Sequence, residues 1–585
     1  MKKMTDKKFE EWPFQVPNFD NVCARLKGFA ELFEKAPTKE EALKLWKKYT
    51  RLLESVEDKI THVSVLFTLE TTNKKYEKAM KKINNSLPIL ELETQKFSKA
   101  YLASPYLEYL ESKLGKLLTK MYQYEIKKSD ESVVSLKQEE SELVMKYQAV
   151  TAAITFEFRG EKYNMPQMGK FLQDLDRETR KEAAEVYYNG LNEKKDELED
   201  IFDKLVKVRT EMAKKMGYKS YTELGYIMMN RYDYNPLMVA AYREQIHDVV
   251  TPLAAKIVRK QIARLGIRNP EIYDLNLMFP NGNPTPKGTT EDKVNAAIKM
   301  YDQMSEDTSK YFRYMNDHNL LFLDAKPGKQ SGGYMTYFPI QRTPIIFSNF
   351  NGTAGDVDVL THEFGHSFQA FESADIKVPA YRSPTAESCE IHSMSMEFFA
   401  EPYMDLFFDE PDKYRYVHLA DSICFLPYGV SVDEFQHWVY AHPEATPAER
   451  DEQWHKIEEK YTPWKVEAER NCEYLYTGHR WLTQLHIFEM PFYYIDYTLA
   501  QVCAFQFFNK DRRSHDNAWK KYIKLCKLGG KYTFCELVKK VGLEVPFDEG
   551  VLAKTIKPLE RAPVFLPSIS KYSGFSLYFI FKEDS

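Results

Sequence analysis

The stretch T-H-E-F-G-H-S-F, from Thr361 to Phe368, sets two histidines four residues apart with a glutamate beside the first. On an α-helix, positions i and i+4 lie one turn apart on the same side, so His362 and His366 can turn their imidazoles toward one point. Two imidazole nitrogens at about 2.0–2.1 Å suit a Zn²⁺ ion, and Glu363 can sit beside a metal-bound water without becoming a ligand. A zinc held by three side chains needs another ligand. The segment S-P-T-A-E-S-C-E-I-H-S-M-S-M-E-F-F-A-E-P, from Ser383, offers Glu387, Glu390, His392 and Glu397. If this segment is a second amphipathic helix, the three glutamates recur at spacings of three and seven, close to one face, and His392 turns away from them. Any one of these carboxylates could close the triad. Glu390, near the middle, would leave Glu387 and Glu397 to support the ligands from behind.

These residues need elements to hold them. Val357, Leu360, Phe364, Phe368 and Phe371 form an apolar helical stripe, and Thr353 with Asp356 has the spacing of a capping box at the start of that helix. Upstream, Lys326 to Asn349 carries glycines at 328, 332 and 333 followed by short aromatic and branched runs, which predict a small antiparallel sheet immediately before the helix. The run T-P-I-I-F-S-N, Thr343 to Asn349, is expected to offer an exposed edge that pairs with an extended peptide backbone. The glycine cluster lacks the G-x-x-x-x-G-K-S/T pattern of a phosphate loop. From Ala30 onward the chain is mostly helical in pattern. Thr38 and Glu41 have capping-box spacing, and Leu45, Trp46, Tyr49, Leu52, Leu53 and Val56 share one face. Similar charged amphipathic segments predict stacked helices through the first half. A Pro-, Gly- and Asn-rich excursion begins near Leu265, and helix resumes near Glu291.

Composition narrows the classes further. Over 585 residues, 81 basic side chains against 86 acidic ones leave a formal charge of −5, with 43% hydrophobic residues. This is a soluble globular composition that argues against a general nucleic-acid or anionic-membrane surface. The first residues, M-K-K-M-T-D-K-K-F-E-E-W, lack the apolar stretch of a secretory leader. Apolar runs such as Y-Y-I-D-Y-T-L-A-Q-V-C-A-F-Q-F-F contain Asp496 and Gln501 and are shorter than the span of about 20 residues that crosses a membrane. Seven scattered cysteines without a C-x-x-C pair fit reduced thiols and a cytoplasmic location. In H-I-F-E-M-P-F-Y-Y-I-D-Y-T-L-A, His486, Tyr493, Tyr494 and Tyr497 place donors in an otherwise apolar segment. An aromatic stripe of this kind is ordinarily core, but its donors could face a carbonyl as the oxygen becomes negative.

The pairing of H-E-F-G-H at 362–366 with E-x-x-S-x-x-x-E at 390–397 resembles the zinc metallopeptidases of the oligoendopeptidase F and thimet oligopeptidase type, and is most similar to the bacterial oligoendopeptidase F enzymes. The resemblance extends to F-L-Q-D-L-D-R-E-T-R-K-E-A at 171–183, to G-G-Y and F-S-N-F-N-G-T-A-G-D-V before the helix, and to the aromatic segment at 486–500. It covers about 150 to 550, and the final P-S-I-S-K-Y-S-G-F-S-L-Y-F-I-F-K-E-D-S has no counterpart role. What the resemblance implies is a mainly α, two-lobed fold with a deep channel: an N-terminal helical lobe over residues 1–185 and a catalytic region, 186–585, contributing to both lobes. It favours Glu390 as third ligand to one zinc per chain, Glu363 as the proton-transferring base, and His486 and Tyr497 as transition-state donors. Asp358, one turn before His362, would orient that imidazole, and Glu387 would assist from the second ligand helix. Tyr494, Gly332, Gly333, Tyr334, Phe347, Ser348 and Asn349 would contact substrate. Asp496 and Thr498 depart from the frequent family pattern, which leaves substrate preference open. The implied partners are short unfolded oligopeptides cut at internal bonds, with no nucleic acid, stable membrane association or obligate protein partner. A zinc carboxypeptidase would use the same triad but needs a positive group to clamp the peptide carboxylate; a noncatalytic helical peptide-binding protein would not need the ligands to converge.

Overall fold

In the computed structural model, residues 4–562 are described, so the last stretch singled out above, 567–585, lies outside the described residues. Thr38 accepts a hydrogen bond from the Glu41 amide at 3.2 Å and opens helix α1, Lys39–Leu69. Its stripe of Leu45, Trp46, Tyr49, Leu52 and Val56 is buried against neighbouring N-terminal helices in an apolar core of its own. Val378 and Tyr381, from the segment between the two prospective ligand helices, belong to that same core. Tyr381 also accepts the Leu118 amide on its hydroxyl at 2.7 Å, so the N-terminal helices grip the loop that positions the site.

The larger core takes in Phe9 and Trp12 from the start of the chain, Val65 of α1, Val133 and Tyr147, and then runs from Leu198 on helix α2, Lys195–Lys215, to Ala562. A smaller cluster gathers around a hairpin of β1, Thr155–Phe158, and β2, Glu161–Asn164. Strands β3, Leu321–Asp324, β4, Tyr334–Phe338, and β5, Thr343–Phe350, form a second sheet in the order β3-β5-β4. The β4–β5 pair is antiparallel, as expected, but β3 joins β5 in parallel. The 343–349 run is therefore the middle strand and not an edge, which corrects the expectation that it pairs with a peptide. The reason lies in its composition: nearly every residue of β5 is buried, so it reads as a continuous apolar run covered on both faces. The free edges belong to β3 and β4.

Helix α3, Gly355–Ser373, begins after Ala354 without a side-chain cap. The expected Thr353/Asp356 box does not form. Asp356 instead turns back to accept the amides of Asn351 at 2.8 Å and Gly352 at 3.0 Å, while Thr353 bonds the Asn351 side chain. The aspartate satisfies the loop that leads out of β5, and the helix starts past the predicted cap. Helix α4, Ala386–Ala400, packs on α3 and on α7, Ile495–Asp511; α5, Pro411–Ala441, and α6, Pro447–Tyr461, complete the surroundings. Among the described residues, no helix is long and apolar enough to cross a membrane.

Candidate metal centre

His362 and His366 leave consecutive turns of α3, and each presents Nε2 to the same oxygen of Glu390 on α4, at 3.2 and 3.3 Å. All three ligand-capable atoms lie within 4.8 Å of one another. Glu390 is held in turn: Tyr493 donates its hydroxyl to Oε1 at 2.7 Å, and Ser393 donates to Oε2 at 3.0 Å. Behind His362, Nδ1 donates to Glu397 Oε1 at 2.6 Å. The other Glu397 oxygen meets His418 Nε2 at 2.9 Å, and His418 Nδ1 meets Glu401 at 3.1 Å. A carboxylate behind a ligating imidazole fixes its tautomer and turns Nε2 outward.

Glu363, on the same helix, lies within electrostatic reach of His362, His366 and Glu390. It is buried, its Oε2 has no hydrogen-bond partner, and burial raises its pKa against the lowering influence of the two histidines. A sealed carboxylate oxygen without a donor is costly unless something polar is meant to meet it. Two imidazole nitrogens, one carboxylate oxygen and this orphaned acceptor together fit a Zn²⁺ and its water. Gly333 keeps the approach open: a Cβ there would lie 3.7 Å from Glu363 Oε1 and 3.1 Å from Val359.

A directed chain of donors starts at Tyr428 on α5 and ends at Tyr497 on α7. Tyr428 donates to Gln484 Oε1 at 2.7 Å, which orients the amide so that its Nε2 faces His486 Nδ1 at 3.0 Å. His486 Nε2 then meets the Tyr497 oxygen at 3.2 Å. Burial lowers the His486 pKa to about 4, so the ring is neutral near pH 7, and its proton sits on Nε2 because Nδ1 accepts from the amide. The Tyr497 oxygen thus accepts from His486 and keeps its own hydrogen free to donate.

Residues 170–555 match the profile of Peptidase family M3, and residues 9–129 match the Peptidase M3 N-terminal domain. The chain belongs to peptidase family M3. The solved structure of PZ peptidase A with inhibitor 2 is 40% identical, covers 95% of this chain and 98% of its own, and superposes with a TM-score of 0.93. Oligopeptidase PepF of Bacillus subtilis (strain 168) is 21% identical over 400 residues, 66% of this chain and 56% of that protein, so the match spans little more than half of the curated relative's length. Oligoendopeptidase-F from Enterococcus faecium, 15% identical with a TM-score of 0.57, shares the fold.

Several expected contacts of this M3 chain fall elsewhere. Asp358 accepts from the Tyr414 hydroxyl of α5, so Glu397, and not Asp358, holds His362. Asp358 does lie one turn before that histidine, but its carboxylate turns toward α5, where burial raises its pKa to about 6. Glu387 stands at the first turn of α4, accepting from Thr385 at 3.0 Å and lying 3.5 Å from Arg231. Arg231 also binds Asp496 and the Phe492 carbonyl, so Glu387 braces α4 against α7 without touching the histidines. Phe347 and Ser348 are buried within the sheet, and the Asn349 amide holds the carbonyls of Gln330 and Gly332, each at 2.8 Å. These three shape the glycine loop from beneath. Tyr334 stacks on Phe347 with ring centroids 4.7 Å apart and bonds Thr68 of α1 at 2.5 Å. Tyr494 packs beside Tyr497, Phe425 and Tyr428. Sequence had set Glu397 on the right helix face and Tyr493 in the donor segment; which atom each would hold was not readable from spacing.

Proposed function

We propose that this M3 chain is a zinc-dependent endopeptidase that hydrolyses internal bonds of short, unfolded oligopeptides. The observation that carries the reading is the convergence of His362 Nε2, His366 Nε2 and Glu390 Oε2 beside the partnerless oxygen of Glu363. Zinc, when bound there, lowers the pKa of a water and polarises the scissile carbonyl. Glu363 accepts the proton of the attacking water and delivers it to the departing nitrogen, one carboxylate serving as base and then as acid. Tyr497 donates its free hydrogen to the carbonyl oxygen as that oxygen becomes negative, with His486 holding the phenol in place. Glu397 and Tyr493 keep the ligands from rotating.

The peptide lies along the free edge of β4, entered through Gly332 and Gly333, whose lack of side chains lets its backbone approach Glu363. Residues 1–185 and the rest of the chain form the two walls of a channel. The separate apolar core of the helices over residues 19–118, joined to the site region through Tyr334–Thr68 and Tyr381–Leu118, is what supports an N-terminal wall. Seven free cysteines are in keeping with a cytoplasmic enzyme. The test is an internally quenched peptide blocked at both ends, assayed before and after chelation and on zinc return. Internal cleavage that follows zinc is expected; cleavage only of substrates with a free carboxyl terminus would make the enzyme a carboxypeptidase, and zinc-independent cleavage would reject the reading altogether.

A further inference from the structure

A second histidine is surrounded much as His362 is. His479 Nε2 lies 3.3 Å from Asp451 Oδ2 and 3.4 Å from Glu199 Oε1, and the three ligand-capable atoms fall within 4.8 Å of one another. Ligands bound tetrahedrally at about 2.0–2.1 Å stand about 3.3–3.4 Å apart, so the two separations from His479 match the edges of a zinc tetrahedron. The residues come from α2, α6 and the 3₁₀ turn His479–Thr483, none of which bears a residue of the His362 cluster.

We propose that Glu199, Asp451 and His479 form a second, structural divalent-cation site suited to Zn²⁺, which ties these three segments together.

Each ligand is held for the task. His479 Nδ1 faces the Tyr474 carbonyl at 3.1 Å and the Thr477 hydroxyl at 2.8 Å, so this nitrogen is engaged by the chain and Nε2 is the one turned to the carboxylates. That is how a metal-bound imidazole is commonly oriented, through a backbone carbonyl on its far nitrogen. Trp481 donates its indole N–H to the other oxygen of Asp451 at 2.9 Å. Gly478, at φ +91°, brings the turn so close to α6 that a Cβ would fall 2.2 Å from the Asp451 carbonyl oxygen. Asp451 and His479 are buried, and the side chain of Glu199 is 13% exposed.

Charge and hydrogen bonding then separate a cation from a proton. No lysine or arginine pairs with Glu199 or Asp451 among the described residues, so two carboxylates face one imidazole. If His479 were an imidazolium, its single Nε2 hydrogen could point at one oxygen, leaving a net negative charge indoors. Glu199 Oε1 is sealed from solvent and has no hydrogen bond, which is the oxygen a lone proton would fail to satisfy. The Tyr474 hydroxyl, on a ring stacked 5.5 Å from that of His479, is also buried without a partner. A divalent ion neutralises both carboxylates and takes all three ligand atoms at once.

The full-length chain equilibrated with buffered free Zn²⁺ is analysed for bound metal by mass spectrometry and crystallised for anomalous diffraction at the zinc edge. A second equivalent is expected, with an anomalous peak between His479 Nε2 and the two carboxylates. Glu199→Gln, a near-isosteric change at a partly exposed residue, and Asp451→Asn should each lose that equivalent while the peak at His362, His366 and Glu390 remains. The wild-type map needs no variant to fold, and its two positions report independently, so a failure here leaves the reading of the first site untouched. A map blank at His479, with ¹⁵N shifts of a doubly protonated imidazole, would show that a proton fills the place and overturn the proposal.

Discussion

Gly365 and Ser393 meet where α3 lies against α4: a Cβ at Gly365 would fall 2.6 Å from Ser393 Cα and 2.7 Å from the His392 carbonyl oxygen. Gly365 lies immediately before His366 and Ser393 three residues after Glu390, so this contact sets how near the two ligand-bearing helices come. The glycine between the histidines therefore admits the third ligand. Both obstructing atoms are backbone and cannot rotate away. Gly365→Ala should cost about 1–3 kcal/mol of stability by overpacking and should weaken zinc binding as α4 is pushed back. Thermal melting and a competitive zinc titration check this; wild-type values in both would mean that the helices have slack.

Glu363→Gln should keep zinc and peptide affinity while kcat falls by about 10²–10⁴, the usual contribution of a positioned base. The amide occupies the same volume but cannot take a proton. Zinc content with single-turnover kinetics measures it, and near-normal turnover would assign the base elsewhere.

Three carboxylates near His362 should separate by what they touch. Glu390→Gln should show the largest loss of zinc, because it removes the oxygen facing both imidazoles. Glu397→Gln, acting through His362 Nδ1, should weaken zinc by about 10–100-fold. Asp358→Asn should bind zinc close to wild type, since its partner is Tyr414. The reverse order of Glu397 and Asp358 in a zinc titration would contradict the hydrogen-bond arrangement.

Tyr497→Phe should lower kcat by about 10²–10³ with zinc retained, the cost of one donor to the developing oxyanion. Gln484→Met should give a smaller loss of the same kind: it no longer donates to His486 Nδ1, so the ring is free to move its proton away from Tyr497. Its effect is expected in kcat and not in KM. An unchanged kcat for Tyr497→Phe would return that side chain to the aromatic packing around it.

Arg231 is buried with Asp496 and Glu387, two like charges that its guanidinium neutralises in part. Burial already raises the pKa of Asp496, and removing the arginine exposes both carboxylates to each other. Arg231→Met should destabilise the fold by about 3–5 kcal/mol. Adding Asp496→Asn should recover part of the loss, which denaturant unfolding would detect; no recovery would mean that packing, and not charge, dominates there.

Local spacing was enough to place His362, Glu363 and His366 on one helix and the glutamates of 387–397 on another, because i, i+3, i+4 and i+7 geometry is a property of the helix and needs no partner. The apolar face of α1 was legible for the same reason. Which of three same-face carboxylates meets the histidines depends on how α3 and α4 pack, and the Gly365–Ser393 contact, not the spacing, puts Glu390 at that point. The burial of β5 between β3 and β4, the turn of Asp358 to Tyr414, and the meeting of Glu199, Asp451 and His479 likewise join residues far apart in the chain. Helical periodicity extends over neighbouring turns, whereas those partnerships exist only once long-range packing has closed.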